Sequence, residues 1–167
     1  MNKIVTIQNK KDEAWLRQKT VPFSFKEFSK KQISELIAEM RLAMKAAEGV
    51  GLSANQVAYN FRMFVAQVPG EDGAPKFYAI FNPEIETYTK EAITAEEGCL
   101  SVPGLYGSVP RSAKVILRGF DKNAKPLKIK ARHLLARVFQ HEVDHLNGKL
   151  FIDRAKEVRE IGSKEKR

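Results

Sequence analysis

One stretch limits what this chain can fold into more than any other. Residues 133–146 are apolar on nearly every side, through Leu134, Leu135, Val138, Phe139, Val143 and Leu146, and Gly148 stands just beyond them. The spacing and the terminal glycine predict a helix, and a helix this apolar belongs in the middle of a domain. Yet it carries His141-Glu142-Val143-Asp144-His145. Two histidines four apart project from one helix face, where both imidazoles can reach a single metal ion. Polar groups so placed are costly to bury without a partner, and a metal supplies one. Glu142 stands beside the first histidine, able to touch water at such an ion without being a ligand. His133 lies among Lys130 and Arg132 and reads as a solvated residue rather than a ligand.

The rest of the chain has to close around that helix. Its 167 residues argue for one domain, and a chain of this size buries roughly 70% of its unfolded surface without disulfides or a structural metal. A content of 43% hydrophobic and 29% charged residues excludes collagen-like and wholly disordered chains. No apolar run approaches the ~18 residues of a membrane span. The segment from Met1 to Gln8 lacks the apolar centre of a secretory signal, and the single cysteine, Cys99, rules out an internal disulfide. The expectation is a cytoplasmic protein with no membrane partner.

An earlier helix opens at Ser29, with Gln32 three residues on in a capping-box pattern, and continues through Ile33, Leu36, Ile37, Met40, Met44 and Ala47 until Gly49 ends it. Its methionines read as core. Residues 62–68 and 77–81 read as strands divided by Pro69-Gly70-Glu71-Asp72-Gly73. Asn82-Pro83 breaks the second of them, and 84–88 continue as another short strand. Residues 114–120 and 126–131 flank a hairpin turn at Asp121-Lys122-Asn123-Ala124. The predicted fold is α+β: mixed or antiparallel strands packed around a buried metal-binding helix, with one earlier amphipathic helix. We expect a single catalytic domain over 1–153 and a basic tail over 154–167, where six Lys or Arg face three Glu.

A catalytic site of this kind keeps three protein ligands and leaves the fourth position to water. Cys99, in Glu97-Gly98-Cys99-Leu100-Ser101, is the candidate third ligand, since a thiolate is a soft anionic donor and Gly98 lets the backbone turn there. A second glycine-containing segment, Gly49-Val50-Gly51-Leu52-Ser53-Ala54-Asn55-Gln56, has small residues that let a ligand approach the backbone. It matches neither nucleotide-binding fingerprint.

Taken together, the three segments resemble peptide deformylase. That family carries a Gly-x-Gly-Leu-Ala-Ala-x-Gln stretch, a Glu-Gly-Cys-Leu-Ser stretch and a Gln-His-Glu-x-Asp-His-Leu stretch. Here the first reads Gly49 to Gln56 with Ser53 in place of an alanine, the second is Glu97 to Ser101, and the third is Gln140 to Leu146. Asn82-Pro83-Glu84 and Val109-Pro110-Arg111 are similar as well. The resemblance implies Cys99, His141 and His145 as metal ligands, Glu142 as general base and acid, and Gln56 with the backbone N–H of Leu100 as the oxyanion hole. It implies one divalent ion per chain, Fe2+ in the cell with Zn2+, Ni2+ or Co2+ as substitutes. The substrates implied are N-formylmethionyl nascent peptides, which lose formate.

The peptide would lie extended along the backbone of Gly49, Val50 and Gly51 as an added strand does. Its methionine side chain would enter an apolar pocket, for which Val50, Leu134 and Val138 are the candidates. Glu97 and Arg111 are candidates to orient a ligand histidine. One alternative is a metallopeptidase of the His-Glu-x-x-His class, but no histidine follows His145 to serve as its downstream ligand. A basic RNA- or ribosome-binding module with a structural metal is the other, and such a site has no use for Glu142. The net charge of +9 suggests a polyanionic partner, and we expect the basic tail to reach the ribosome.

Overall fold

The computed structural model describes residues 3–70 and 72–160. In chain order it contains α1 (Lys10–Leu16), α2 (Lys30–Ala46), β1 (Gly51–Ser53), β2 (Met63–Pro69), β3 (Pro75–Tyr88), β4 (Ala92–Cys99), β5 (Val102–Ser112), β6 (Lys114–Phe120), β7 (Pro126–Arg132), α3 (His133–Leu146) and β8 (Val158–Glu160). Short 3-10 turns at Ala54–Val57 and Phe151–Asp153 follow β1 and α3. Among the described residues the strands form an antiparallel five-stranded sheet, ordered β1-β2-β3-β6-β7, and a three-stranded one, β4-β5-β8.

The larger sheet is covered on both faces by helix, which explains the composition of β2. Side chains alternate across a strand. Phe64, Ala66 and Val68 of β2 join Ala136, Val138, Phe139, Val143 and Leu146 of α3 in one core cluster. Met63 and Val65 join Ile33, Leu36, Met40, Ala43 and Met44 of α2 in another. A strand buried on both sides reads as a continuous apolar run. Over β6 and β7 only one face is covered: Val115, Leu117 and Ala131 are buried, while Lys114, Arg118, Lys128 and Lys130 are exposed. The smaller sheet builds a third cluster from Val102, Val109, Leu150 and Phe151.

Both predicted helices form. Ser29 caps α2, its hydroxyl accepting from Gln32 N at 3.2 Å while Gln32 Oε1 accepts from Ser29 N at 2.8 Å, and Met40 and Met44 are buried core. The chain leaves α3 through Gly148 at φ 71°, where a Cβ would lie 2.2 Å from the carbonyl oxygen of Arg17, so only glycine fits. His133 is exposed, as expected.

Several elements differ from the sequence expectation. Two helices precede the sheets, not one. The additional helix, α1, is a single capped stretch in which Asn9 Oδ1 accepts from Asp12 N. Asn82-Pro83 does not break β3; the strand passes through it with a bulge, Asn82 taking φ 48° and bonding both backbone groups of Phe23 through its amide. The left-handed residue after α2 is Glu48, φ 56°, rather than Gly49. Within the expected basic tail, residues 154–160 make contacts with the rest of the chain. Arg154 pairs with Asp144, Ser108 exchanges backbone bonds with Lys156 and Glu157, and β8 pairs with β5. The rest of the expected tail, 161–167, lies outside the described residues. No helix among the described residues is long and apolar enough to cross a membrane.

Candidate functional site

Cys99 ends β4, at a register shift against β5, and the two histidines face it from α3. Cys99 Sγ lies 3.1 Å from His145 Nε2, and the two Nε2 atoms are 3.2 Å apart. All three donor atoms fall within 4.8 Å of one another. A tetrahedral ion bound at ~2.3 Å to sulfur and ~2.0–2.1 Å to nitrogen spaces its donors about 3.3–3.6 Å apart. Facing lone pairs at these separations repel unless a proton or a cation lies between them, and one soft anion with two imidazoles suits a divalent transition metal. The residues therefore fit the expected ion.

Electrostatics favour the ligand form of the sulfur. Burial opposes ionisation of Cys99, but the neighbouring His145 and His141 outweigh it and bring the thiol down to about 5. Ser101 N also donates to the sulfur at 3.4 Å. His141 is held in turn from behind. Its Nδ1 is 3.0 Å from Glu97 Oε2, which leaves Nε2 aimed at the site. Glu97 takes a two-pronged contact from Arg111, with both distances 2.9 Å, and a further bond from Arg137 at 2.6 Å. Burial would raise the Glu97 pKa, yet the bonds from His141 and Arg111 hold it far below the usual carboxylate range. The expected Glu97–Arg111 pair thus exists, with both side chains buried and not at the surface.

Glu142 is buried and reaches across to β1. Its Oε2 is 2.6 Å from Ser53 Oγ, and a Cβ on Gly51 would come within 2.3 Å of its Oε1. The glycines at 49 and 51 consequently make room for this chain's own side chains. Gly51 accommodates Glu142, and Gly49 accommodates Leu100, whose Cδ1 would lie 2.8 Å from an added Cβ. Gly98 likewise serves close packing against the Tyr106 ring, 2.7 Å from a would-be Cβ, instead of providing a turn. Burial is the leading cause that raises the Glu142 pKa, a direction that suits a group which must both take and return a proton near neutrality.

A cleft of about 540 Å³ opens over this centre. It is lined by Gly49, Val50, Gly51, Gln56, Cys99, Leu100, Leu134, Val138, His141 and Glu142, so the residues singled out in the sequence meet there, with His145 buried just behind. Val50 and Leu134 remain 49% and 46% exposed, apolar side chains left open at its mouth, whereas Val138 is buried. Beside the cleft runs β1, the outermost strand of its sheet. Gln56 is held by its carbonyl, which accepts from Ser53 N at 2.8 Å, and its Nε2 donates to Ser101 Oγ at 3.0 Å, 3.7 Å from the sulfur.

Sequence reasoning missed three contributors. Ser53 touches the Glu142 carboxylate. Arg137 braces Glu97 while also donating to the carbonyls of Val109 and Ile93. Asp144 anchors Arg111 at 2.5 Å and Arg154 at 2.6 and 2.8 Å. Asp144 and Arg137 lie on the helix already identified as buried, so a charged residue there was itself the available signal.

The fold and the site define a metal-dependent hydrolase. The family described as Polypeptide deformylase matches residues 1–160. A curated peptide deformylase from Hydrogenovibrio crunogenus is 46% identical over 122 residues, covering 73% of this chain and 70% of that protein. For three further curated relatives the aligned part is 61% of their length. Among solved structures, a probable peptide deformylase from Synechococcus phage S-SSM7 superimposes with a TM-score of 0.82 at 39% identity, covering 92% of this chain and 99% of that one. A Met-Ala-Ser-bound deformylase from Acinetobacter baumannii gives 0.82 at 30% identity, with coverage of 92% and 99%. The chain belongs to the peptide deformylase family, enzymes that remove the formyl group from an N-terminal methionine.

Replacing Glu97 by Gln keeps the shape but removes the charge that orients His141. Chelator competition should then show divalent-ion affinity falling about 10–100-fold. Unchanged affinity would mean that Glu97 matters to stability alone.

Proposed function

We propose that this chain hydrolyses the formamide of N-formylmethionyl nascent peptides, with Cys99, His141 and His145 holding one divalent ion. The reading is carried by one observation: the three donors converge beside a buried carboxylate at the base of an open, partly apolar cleft. An ion held there supplies Lewis acidity, bringing the pKa of water toward ~7. Glu142 takes a proton from the attacking water and returns it to the leaving amine, so that the products are formate and a free amino terminus. As the carbonyl carbon becomes tetrahedral, negative charge grows on the formyl oxygen. The second Nε2 hydrogen of Gln56 and the backbone N–H of Leu100 are the donors we assign to it.

The peptide would extend along the outer edge of β1, bonding the backbone around Val50. Its methionine side chain would contact Val50, Leu134 and Val138. The Met-Ala-Ser ligand of the Acinetobacter baumannii protein supports a peptide of this kind. A metallopeptidase reading is not favoured, since the third donor is a cysteine from β4. For the ion we propose Fe2+ in the cell, with Zn2+, Ni2+ and Co2+ accepted by the same donors. The compartment we propose is the cytoplasm, where nascent chains emerge.

We further propose a catalytic unit over 1–153 and ribosome contact through the basic segment 154–167. Arg154 and Arg159 already face Asp144 and Glu96, so in this reading the cations of 161–167 would carry most of that contact. Removing 161–167 should abolish co-sedimentation with ribosomes at low salt while leaving formate release intact. Undiminished co-sedimentation would defeat the idea. For the chemistry, Glu142→Gln should retain one ion per chain yet lose formate release from a formyl-Met peptide by a factor of about 10² or more. Near-normal turnover in that variant would refute the proposed base.

A further inference from the structure

Ser53 stands where the resembling family motif has alanine, and its side chain is fully buried. Its hydroxyl lies 2.6 Å from Glu142 Oε2 and 3.0 Å from the Glu142 carbonyl oxygen. The strand that presents it is fixed on both sides of the residue: Ser53 pairs with Phe64 of β2, and its N–H donates to Gln56 Oε1 at 2.8 Å. We propose that Ser53 is a positioning residue for Glu142, holding one carboxylate oxygen so that the other is the one presented for proton transfer. This rests on the reading of Glu142 as the general base.

The terminal torsion of a glutamate is broad, so an unanchored carboxylate samples many orientations about its last bond. Two points on β1 remove that freedom here. Ser53 Oγ grips Oε2, and Gly51, on the same strand face two residues earlier, lies directly against Oε1. Oε1 is left beside the cleft-lining backbone. Ser53 donates its one hydroxyl hydrogen to Oε2, so that oxygen stays engaged while Oε1 lies against the cleft-lining Gly51. A structural staple between β1 and α3 would need only the carbonyl contact.

Ser53→Ala removes one oxygen and adds no bulk. In the metal-loaded enzyme we expect kcat to fall about 10–100-fold, as for loss of a hydrogen bond to a charged group, with KM and ion stoichiometry unchanged. In a Glu142→Asp background the carboxylate is withdrawn from Ser53, and adding Ser53→Ala should change kcat by less than about twofold. A crystal structure of Ser53→Ala should show the Glu142 carboxylate rotated or split between orientations. The proposal is overturned if kcat is retained while the melting temperature drops, if the loss is equal in both backgrounds, or if the carboxylate keeps its place. Absence of formate release by the unmodified enzyme would instead overturn the function on which it rests, and the carboxylate orientation would still decide the role of Ser53.

Discussion

A buried helix that carries carboxylates and imidazoles must find a partner for every one of them, and this constraint organises the molecule. On α3, Gln140 bonds both backbone groups of Ser112. Asp144 takes Arg111 and Arg154. His141 takes Glu97, Glu142 takes Ser53, and His145 faces Cys99. An unmatched ion in such a place would cost several kcal/mol, so α3 can be central only because β1, β4, β5 and the C-terminal segment each supply a group to it. The same matching that allows burial aims two ring nitrogens and a sulfur at one point.

Division of labour between the two sheets follows from this arrangement. The larger sheet supplies apolar area, gripping α3 through Phe64, Tyr78 and Phe139 in aromatic contact. The smaller sheet supplies charge and the sulfur. Glu97 and Cys99 are two residues apart on β4, and both reach α3, Glu97 at His141 and Cys99 at His145. One strand thereby supplies both the sulfur of the cluster and the carboxylate that holds the His141 ring. Arg111, on the paired strand β5, bridges Glu97 to Asp144 and thus ties the smaller sheet to the helix at the level of the site.

Much of this was legible in the sequence because it depends on local pattern. The ends of α3 follow from its apolar positions and Gly148. The β6–β7 hairpin follows from its turn, while the meeting of Cys99 with the two histidines, for which spacing and a lone cysteine offered only a candidate, was expected from the family resemblance. What stayed hidden depends on tertiary partners. Strand β4, Ala-Ile-Thr-Ala-Glu-Glu-Gly-Cys, is mostly exposed and polar, and β5 contains Pro103 and Pro110, so neither presents a strand pattern. Helix α1 is too short to show periodicity. The roles of Arg137, Asp144 and Arg154 required knowing which carboxylate or guanidinium lay opposite. A change from alanine to serine at position 53 reads as loop packing until the hydroxyl is seen against Glu142.

The most direct test of the account is X-ray absorption spectroscopy at the metal edge of the anaerobically purified protein. One sulfur at ~2.3 Å and two imidazole nitrogens at ~2.0–2.1 Å around a single ion per chain, with the sulfur contribution lost on Cys99→Ala, is the predicted result. A spectrum without sulfur among the nearest neighbours, or one unaltered by that substitution, would contradict it.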